Sequence, residues 1–82
     1  MADRSIKLRE LRRILIRYEV GEDTSRGKGS HTTFFKKMAR GTVTYPVPTS
    51  PRDVLVCYVR GCRQRFGLRV VDGVSDEEFY GA

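Results

Sequence analysis

The chain has one histidine, two cysteines and no long apolar run, and each shortage excludes a class of protein. In its 82 residues no apolar stretch approaches the roughly 18 residues that a membrane-spanning helix needs. One histidine and two cysteines, Cys57 and Cys62, are too few for a zinc site, so we expect no metal and no cofactor. The opening "MADRSIK" lacks the apolar centre of a signal peptide, which predicts a cytoplasmic protein with both thiols reduced.

Positive charge is abundant but confined to one part of the chain. Residues 1–69 contain all sixteen Lys and Arg and six acids, a net charge of +10, whereas residues 70–82 contain four acids and no cation, a net charge of −4. A strongly basic domain favours a polyanionic partner, because binding to phosphates releases condensed counterions. Nucleic acid is therefore the first candidate partner, and the alternative is a soluble domain that is merely basic.

The hydrophobic pattern predicts one small α+β domain. In "KLRELRRILIRYEVG" a set of apolar residues falls on one helical face, and Gly21 is predicted to stop that helix: Leu8, Leu11, Ile14, Leu15 and Tyr18. "SHTTFFKKM" and "TVTYPVP" are typical of strands joined by a short hairpin through "ARG".

A second helix is predicted from about residue 54 to residue 66. Its apolar arc would contain Leu55, Tyr58, Val59, Cys62 and Phe66. Beyond it, Ser75 and Glu78 have the spacing of a capping box, which indicates a short acidic helix or a solvated tail.

The chemistry of the chain centres on "SRGKGSH" at residues 25–31. The "GKG" triplet could let backbone amides approach a phosphate, although it lacks the remainder of a P-loop. His31 could accept and donate a proton near neutral pH, as RNA cleavage through the internal 2′-hydroxyl requires. A lone histidine in a small basic protein is more often a surface residue or a binding contact, so binding without catalysis stays open. Arg9, Arg13 and Arg17 form a stripe on the first helix that could face solvent, phosphates or an acidic protein.

The "GSH" motif and the order of elements resemble the HicA family of toxins, also called YcfA-like, from bacterial toxin–antitoxin pairs. The likeness covers about residues 6–68, from "KLRELRRIL" through "GKGSHTTFF" and "TVTYPVP" to "DVLVCYVRGCRQRFGL". It implies a fold like a small double-stranded-RNA-binding domain in α-β-β-β-α order, with three antiparallel strands covered on one face by two helices. It also implies that the first strand lies within "EDTSRGKG". The single domain would span residues 1–82, with the acidic extension at about residues 70–82 outside the family pattern; that extension could fold against the basic face, contact the antitoxin or aid solubility.

The resemblance implies an mRNA-cleaving endoribonuclease with His31 as the catalytic residue, Gly29 and Ser30 shaping its approach, and a HicB-like antitoxin as partner. One histidine would then act as base and acid, or share that work with Lys28 or water. A non-catalytic RNA-binding module of the same fold is the alternative. On charge alone, the residues expected to contact RNA are Arg26, Lys28, Lys36, Lys37, Arg60 and Arg63.

Overall fold

The computed structural model describes residues 3–24 and 29–81, which form a three-stranded sheet with helices packed on one face. In chain order the elements are β1 (Ile6–Lys7), α1 (Leu8–Arg17), β2 (Gly21–Asp23), β3 (His31–Met38), β4 (Gly41–Pro48), β5 (Asp53–Val54), α2 (Val56–Arg65), a 3₁₀ turn (Val70–Asp72) and α3 (Asp76–Tyr80). No helix in this part of the chain is long and apolar enough to cross a membrane.

The sheet is antiparallel in the order β2-β3-β4, which confirms the predicted class and the hairpin between the two long strands. His31 lies opposite Pro48, Met38 lies opposite Gly41, and Ala39 and Arg40 make the turn between them. The strand predicted inside "EDTSRGKG" begins one residue earlier, at Gly21, and pairs with β3. A two-stranded ladder of β1 with β5 was not predicted, because two-residue strands leave no periodic pattern.

Side chains alternate across β3, and the alternation separates a core face from an open face. Thr32 and Phe34 are buried under the helices, with α1 packed against β2 and α2 packed against β4. His31, Phe35 and Lys37 lie on the other face and are exposed. The histidine of the motif is therefore on the uncovered side of the sheet.

Helix α1 buries the predicted residues Leu8, Leu11, Ile14 and Leu15 but ends before the predicted stop. The N–H groups of Glu19 and Val20 donate to the carbonyls of Ile16 and Leu15, which is the hydrogen-bond pattern of a Schellman cap. Glu19 takes the left-handed conformation there, with φ of 63°. Gly21 instead lies in β2, where a Cβ atom would come within 2.6 Å of the ring of Phe35.

Replacing Glu19 with glycine is expected to raise the free energy of unfolding by about 0.5–1 kcal/mol. The left-handed conformation costs an L-residue roughly 1–2 kcal/mol, and the greater freedom of glycine in the unfolded chain offsets part of the gain. Urea unfolding measures the effect. Glu10→Gly, inside α1, is the matched control and should lower stability by about 1 kcal/mol; a loss of stability in Glu19→Gly as well would contradict the assignment of the cap.

Helix α2 buries Val59, Cys62 and, at its C-cap, Phe66, as predicted. Burial raises the pKa of the Cys62 thiol to about 12, consistent with its predicted role as a small core residue. The prediction for Leu55 was wrong: this residue precedes the helix as its N-cap, and its side chain is 53% exposed. A residue at a helix N-cap has extended backbone, so the helical periodicity does not apply to it.

The acidic C-terminal segment forms the predicted short helix, α3, with Ser75 and Glu78 in a capping box. The helix is not a solvated appendage. Phe79 and Tyr80 are buried in the same core as α1 and α2, and the Arg17 guanidinium donates to the carbonyl of Glu78 at 2.8 Å. The hydrophobic core therefore extends beyond residue 68 and includes two aromatic residues of the extension.

Candidate functional site

The "GSH" motif lies at the N-terminal end of β3, the central strand of the sheet, and hydrogen bonds from Thr49 hold it in place. The Thr49 Oγ1 donates to the carbonyl of Gly29 at 3.0 Å, and the Thr49 N–H donates to the carbonyl of Ser30 at 2.9 Å. Gly29 has φ of +76°, a conformation that an L-residue adopts only with strain. The left-handed backbone conformation two positions before His31 therefore favours glycine at that position.

The imidazole of His31 is exposed, and its Nδ1 lies 3.1 Å from the Oγ of Ser30. If Nδ1 carries the proton, it donates to the serine hydroxyl and leaves Nε2 as a base. If Nδ1 is unprotonated, it accepts from that hydroxyl and Nε2 carries the proton. The Ser30 hydroxyl can therefore hydrogen-bond to Nδ1 in either tautomer, so Nε2 can be an acceptor or a donor.

Lys36 and Lys37 do not converge on His31, although all three lie on β3. At about 3.3 Å per residue they are roughly 17 and 20 Å along the strand from the histidine. Only Lys37 shares its face. These lysines are therefore too far from His31 to contact an anion bound beside the imidazole.

Arg63 was predicted to contact RNA, and its burial contradicts that prediction. Its side chain is 3% exposed, and its guanidinium donates to the carboxylates of Asp3 and Asp76 at 2.8 and 2.6 Å. It also donates to the carbonyls of Leu68 and Val74. The guanidinium of Arg63 is thus neutralised by carboxylates inside the fold and is not accessible to a phosphate.

The carboxylate of Asp3 shows how tightly this buried arginine is bound. Burial, the largest influence, raises the pKa of Asp3, but hydrogen bonds from Arg63 and Tyr80 and the charges of Arg63 and Arg60 together bring it below its usual value. Arg60 itself is 63% exposed, with its Nε 3.7 Å from Asp3. Arg60 therefore keeps an accessible guanidinium on α2, whereas Arg26 and Lys28 lie outside the described residues.

A cationic cleft beside the motif was missing from the sequence prediction. It has a volume of about 290 Å³, and it is lined by Lys7, Leu8, Arg9, Arg12, Thr49 and Arg52. Its residues come from the start of α1 and from the loop after β4, so no local pattern joins them. Arg9 was recognised only as part of the helical stripe. Thr49 belongs both to this cleft and to the hydrogen bonds that hold Gly29 and Ser30.

Two of the four cations in the cleft are paired with carboxylates. The Arg12 Nε lies 2.8 Å from Glu22, and the Lys7 Nζ lies 3.4 Å from Asp53. Burial raises the pKa of Glu22, but hydrogen bonds from Arg12 and Thr32 and the charge of Arg12 lower it further, below its usual value. Within the residues that the structure describes, Arg9 and Arg52 have no ion-pair partner, so they supply the net positive charge of the cleft.

In residues 3–24 and 29–81, no three His, Cys, Asp or Glu side chains come together as a group that could hold a metal ion. The chain matches no protein-family model, no curated protein and no solved structure. The resemblance to HicA toxins therefore depends on the "GSH" motif and on the order of elements. The activity and the partner that it implies are proposals.

Proposed function

We propose that the protein is a metal-independent endoribonuclease that cleaves mRNA in the bacterial cytoplasm, as a toxin of the HicA type. The observation that carries the proposal is the placement of His31. Its exposed imidazole stands at the start of β3, hydrogen-bonded to Ser30, and Thr49, which binds the carbonyls of Gly29 and Ser30, also lines the cleft that contains Arg9 and Arg52. General acid–base catalysis needs an accessible titrating group, and phosphoryl transfer needs nearby positive charge.

The reaction uses the 2′-hydroxyl of RNA as its nucleophile. Nε2 of His31 takes the proton of that hydroxyl while the 2′-oxygen forms a bond to the adjacent phosphorus. The bond from phosphorus to the 5′-oxygen breaks, and the leaving oxygen receives a proton from the imidazolium or from water. The products are a 2′,3′-cyclic phosphate and a 5′-hydroxyl. The neutral imidazole returns when the imidazolium gives its proton to the leaving oxygen or, where water protonated that oxygen, to the hydroxide that water leaves.

A HicB-like antitoxin is the proposed protein partner, and the open face of the sheet is its proposed docking surface. His31 and Phe35 lie on that face, and the Phe35 side chain is 39% exposed. An antitoxin seated there would cover the imidazole and an apolar ring together. A non-catalytic RNA-binding module with the same fold is the alternative to the toxin. In that module His31 and the lysines only bind the RNA backbone.

The products of the reaction test the proposed chemistry. Wild-type protein in EDTA is expected to cleave single-stranded RNA to fragments ending in a 2′,3′-cyclic phosphate, and to leave DNA of the same sequence and 2′-O-methyl RNA intact. Mass spectrometry of the fragments identifies the termini. The matched control is the same RNA incubated with His31→Ala protein purified in parallel.

Each of the following results would contradict the proposal. Cleavage of DNA, or 5′-phosphate products, would mean that the 2′-hydroxyl is not the nucleophile. Cleavage that EDTA abolishes would mean that the reaction depends on a metal. Tight RNA binding with no cleavage would favour the non-catalytic module, and an adaptor for an acidic protein would show no salt-dependent RNA affinity at all.

A further inference from the structure

The cleft between α1 and the loop after β4 has the composition of a phosphate site. Among the described residues, four cationic side chains and the hydroxyl-bearing Thr49 surround it, and Leu8 is the only apolar one in the lining. Helix α1 begins at this cleft without a side-chain cap, so the positive end of its dipole adds to the side-chain charge. Guanidinium groups bind phosphate oxygens through two parallel hydrogen bonds, which suits arginine to this task.

Arg9 and Arg52 are the cations in the cleft that remain available to a ligand. Both side chains are exposed, while Glu22 holds Arg12 and Asp53 lies near Lys7. The Lys7 pair is weak because both partners are more than half exposed. An anion entering the cleft would therefore meet the guanidinium groups of Arg9 and Arg52, which have no ion-pair partner among the described residues. It would also meet the ammonium group of Lys7, which can leave Asp53 at little cost.

The cleft is physically joined to the catalytic motif through Thr49. This residue follows Pro48, which lies opposite His31 in the ladder, and its backbone and side chain bind the carbonyls of Ser30 and Gly29. Partners across a ladder are about 5 Å apart, and one step along the chain adds about 3.8 Å. The Cα atoms of His31 and Thr49 are therefore within about 9 Å of each other, so a nucleic-acid strand that passes His31 on the open face can continue around the end of the sheet to the cleft.

We propose that the cleft binds a backbone phosphate of the RNA strand that reaches His31, with Arg9 and Arg52 as its contacts. The choice of RNA rests on the proposed function, whereas the affinity for a phosphate rests on the cleft alone. The cleft then sets the register of the strand. It grips the sugar–phosphate backbone, so it contributes affinity without choosing a base sequence.

Binding of a fluorescein-labelled single-stranded RNA tests the proposal, measured by anisotropy from 25 to 200 mM KCl. The His31→Ala background keeps the RNA intact. Arg9→Gln/Arg52→Gln is expected to weaken binding about tenfold at low salt, the loss of one strong charge-assisted contact. It should also reduce the slope of log K against log salt by about 0.7, the value for one phosphate on a single strand.

The matched control is Arg40→Gln/Arg65→Gln, which removes two exposed arginines away from the cleft. It should change the affinity less than threefold and leave the slope within about 0.2 of the parent value. Circular dichroism should show that both double variants are folded, because all four side chains are exposed. In cleavage assays with His31 restored, the cleft variant should raise KM more than it lowers kcat.

Equal affinity and slope in the two double variants would overturn the cleft proposal, and so would a parent protein that binds no RNA. If wild-type protein cleaves RNA and the cleft variant binds like the control, only the cleft proposal fails. If wild-type protein cleaves nothing and the cleft variant alone loses affinity, the ribonuclease proposal fails and the cleft remains an RNA-phosphate site.

Discussion

Replacing His31 with alanine is expected to lower the rate of RNA cleavage by about 10²–10⁴-fold, the usual contribution of a positioned general acid–base. RNA affinity should change less than threefold, because the proposed backbone contacts are made by the arginines of the neighbouring cleft. Stability should change by less than about 0.5 kcal/mol, since the imidazole is exposed. Single-turnover cleavage, anisotropy and thermal unfolding measure these three quantities on the same preparation.

Two control variants locate the effect on the imidazole. Lys37→Ala lies on the same strand and the same face as His31 but roughly 20 Å away, so it should keep nearly full activity. Ser30→Ala removes only the partner of Nδ1, and it should slow cleavage far less than His31→Ala. Wild-type activity should fall as the pH is lowered, because the protonated imidazole cannot accept the proton of the 2′-hydroxyl. Full activity in His31→Ala, or a flat profile from pH 5 to 9, would contradict the role of the histidine as proton carrier.

The sequence located His31 because a titrating side chain beside glycines is a local signal, but the surroundings of His31 are not local. The cleft joins residues 7–12 to residues 49 and 52, and that proximity depends on the fold of the whole domain. Thr49 follows the last strand residue in a proline-rich break, where no periodicity applies. The sequence alone does not distinguish Arg52 from other exposed arginines, because its role in the cleft depends on neighbours that are distant in the sequence.

Local periodicity predicted the elements whose contacts are local. The arc of α1, the hairpin of β3 with β4 and the capping box of α3 were all confirmed. Helical geometry placed Arg63 outside the apolar arc of α2, which is correct for the helix alone. Its burial comes from Asp3, 60 residues earlier, and from α3, whose docking no periodic pattern reveals.

Replacing Arg63 with methionine is expected to lower the free energy of unfolding by about 3–5 kcal/mol, the cost of removing one partner from a buried ion pair. Methionine preserves much of the volume, so the loss is electrostatic. The side chains of Asp3 and Asp76 are only 14% and 12% exposed, and both carboxylates would lose their arginine. The guanidinium also lies 4.6 Å from the centre of the Phe79 ring, so α3 should loosen from the core.

Urea unfolding of Arg63→Met and of the control Arg60→Met measures this difference. Arg60 also faces Asp3, at 3.7 Å, but it is exposed, so its loss should cost less than about 1 kcal/mol. The triple variant Asp3→Asn/Arg63→Met/Asp76→Asn should recover part of the stability, because the two side chains that lose the Arg63 guanidinium are then neutral amides. A loss below 1 kcal/mol in Arg63→Met would mean that the buried ion pairs of Arg63 with Asp3 and Asp76 do not hold α3 against the core.

The deficit of Arg63→Met should also depend on pH in a definite direction. The folded-state pKa of Asp3 lies below its ordinary value of 3.8, so the stabilisation from its charged form is complete above about pH 3.8. That stabilisation disappears as the pH falls through the lower, folded-state pKa. In the variant, loss of the hydrogen bond and charge of Arg63 raises the pKa of Asp3 above its value in the folded wild type, so the carboxyl takes up its proton at a higher pH. The two stability curves should therefore converge below pH 4, and a gap of constant size from pH 7 to pH 3 would show that the loss is one of packing and not of charge.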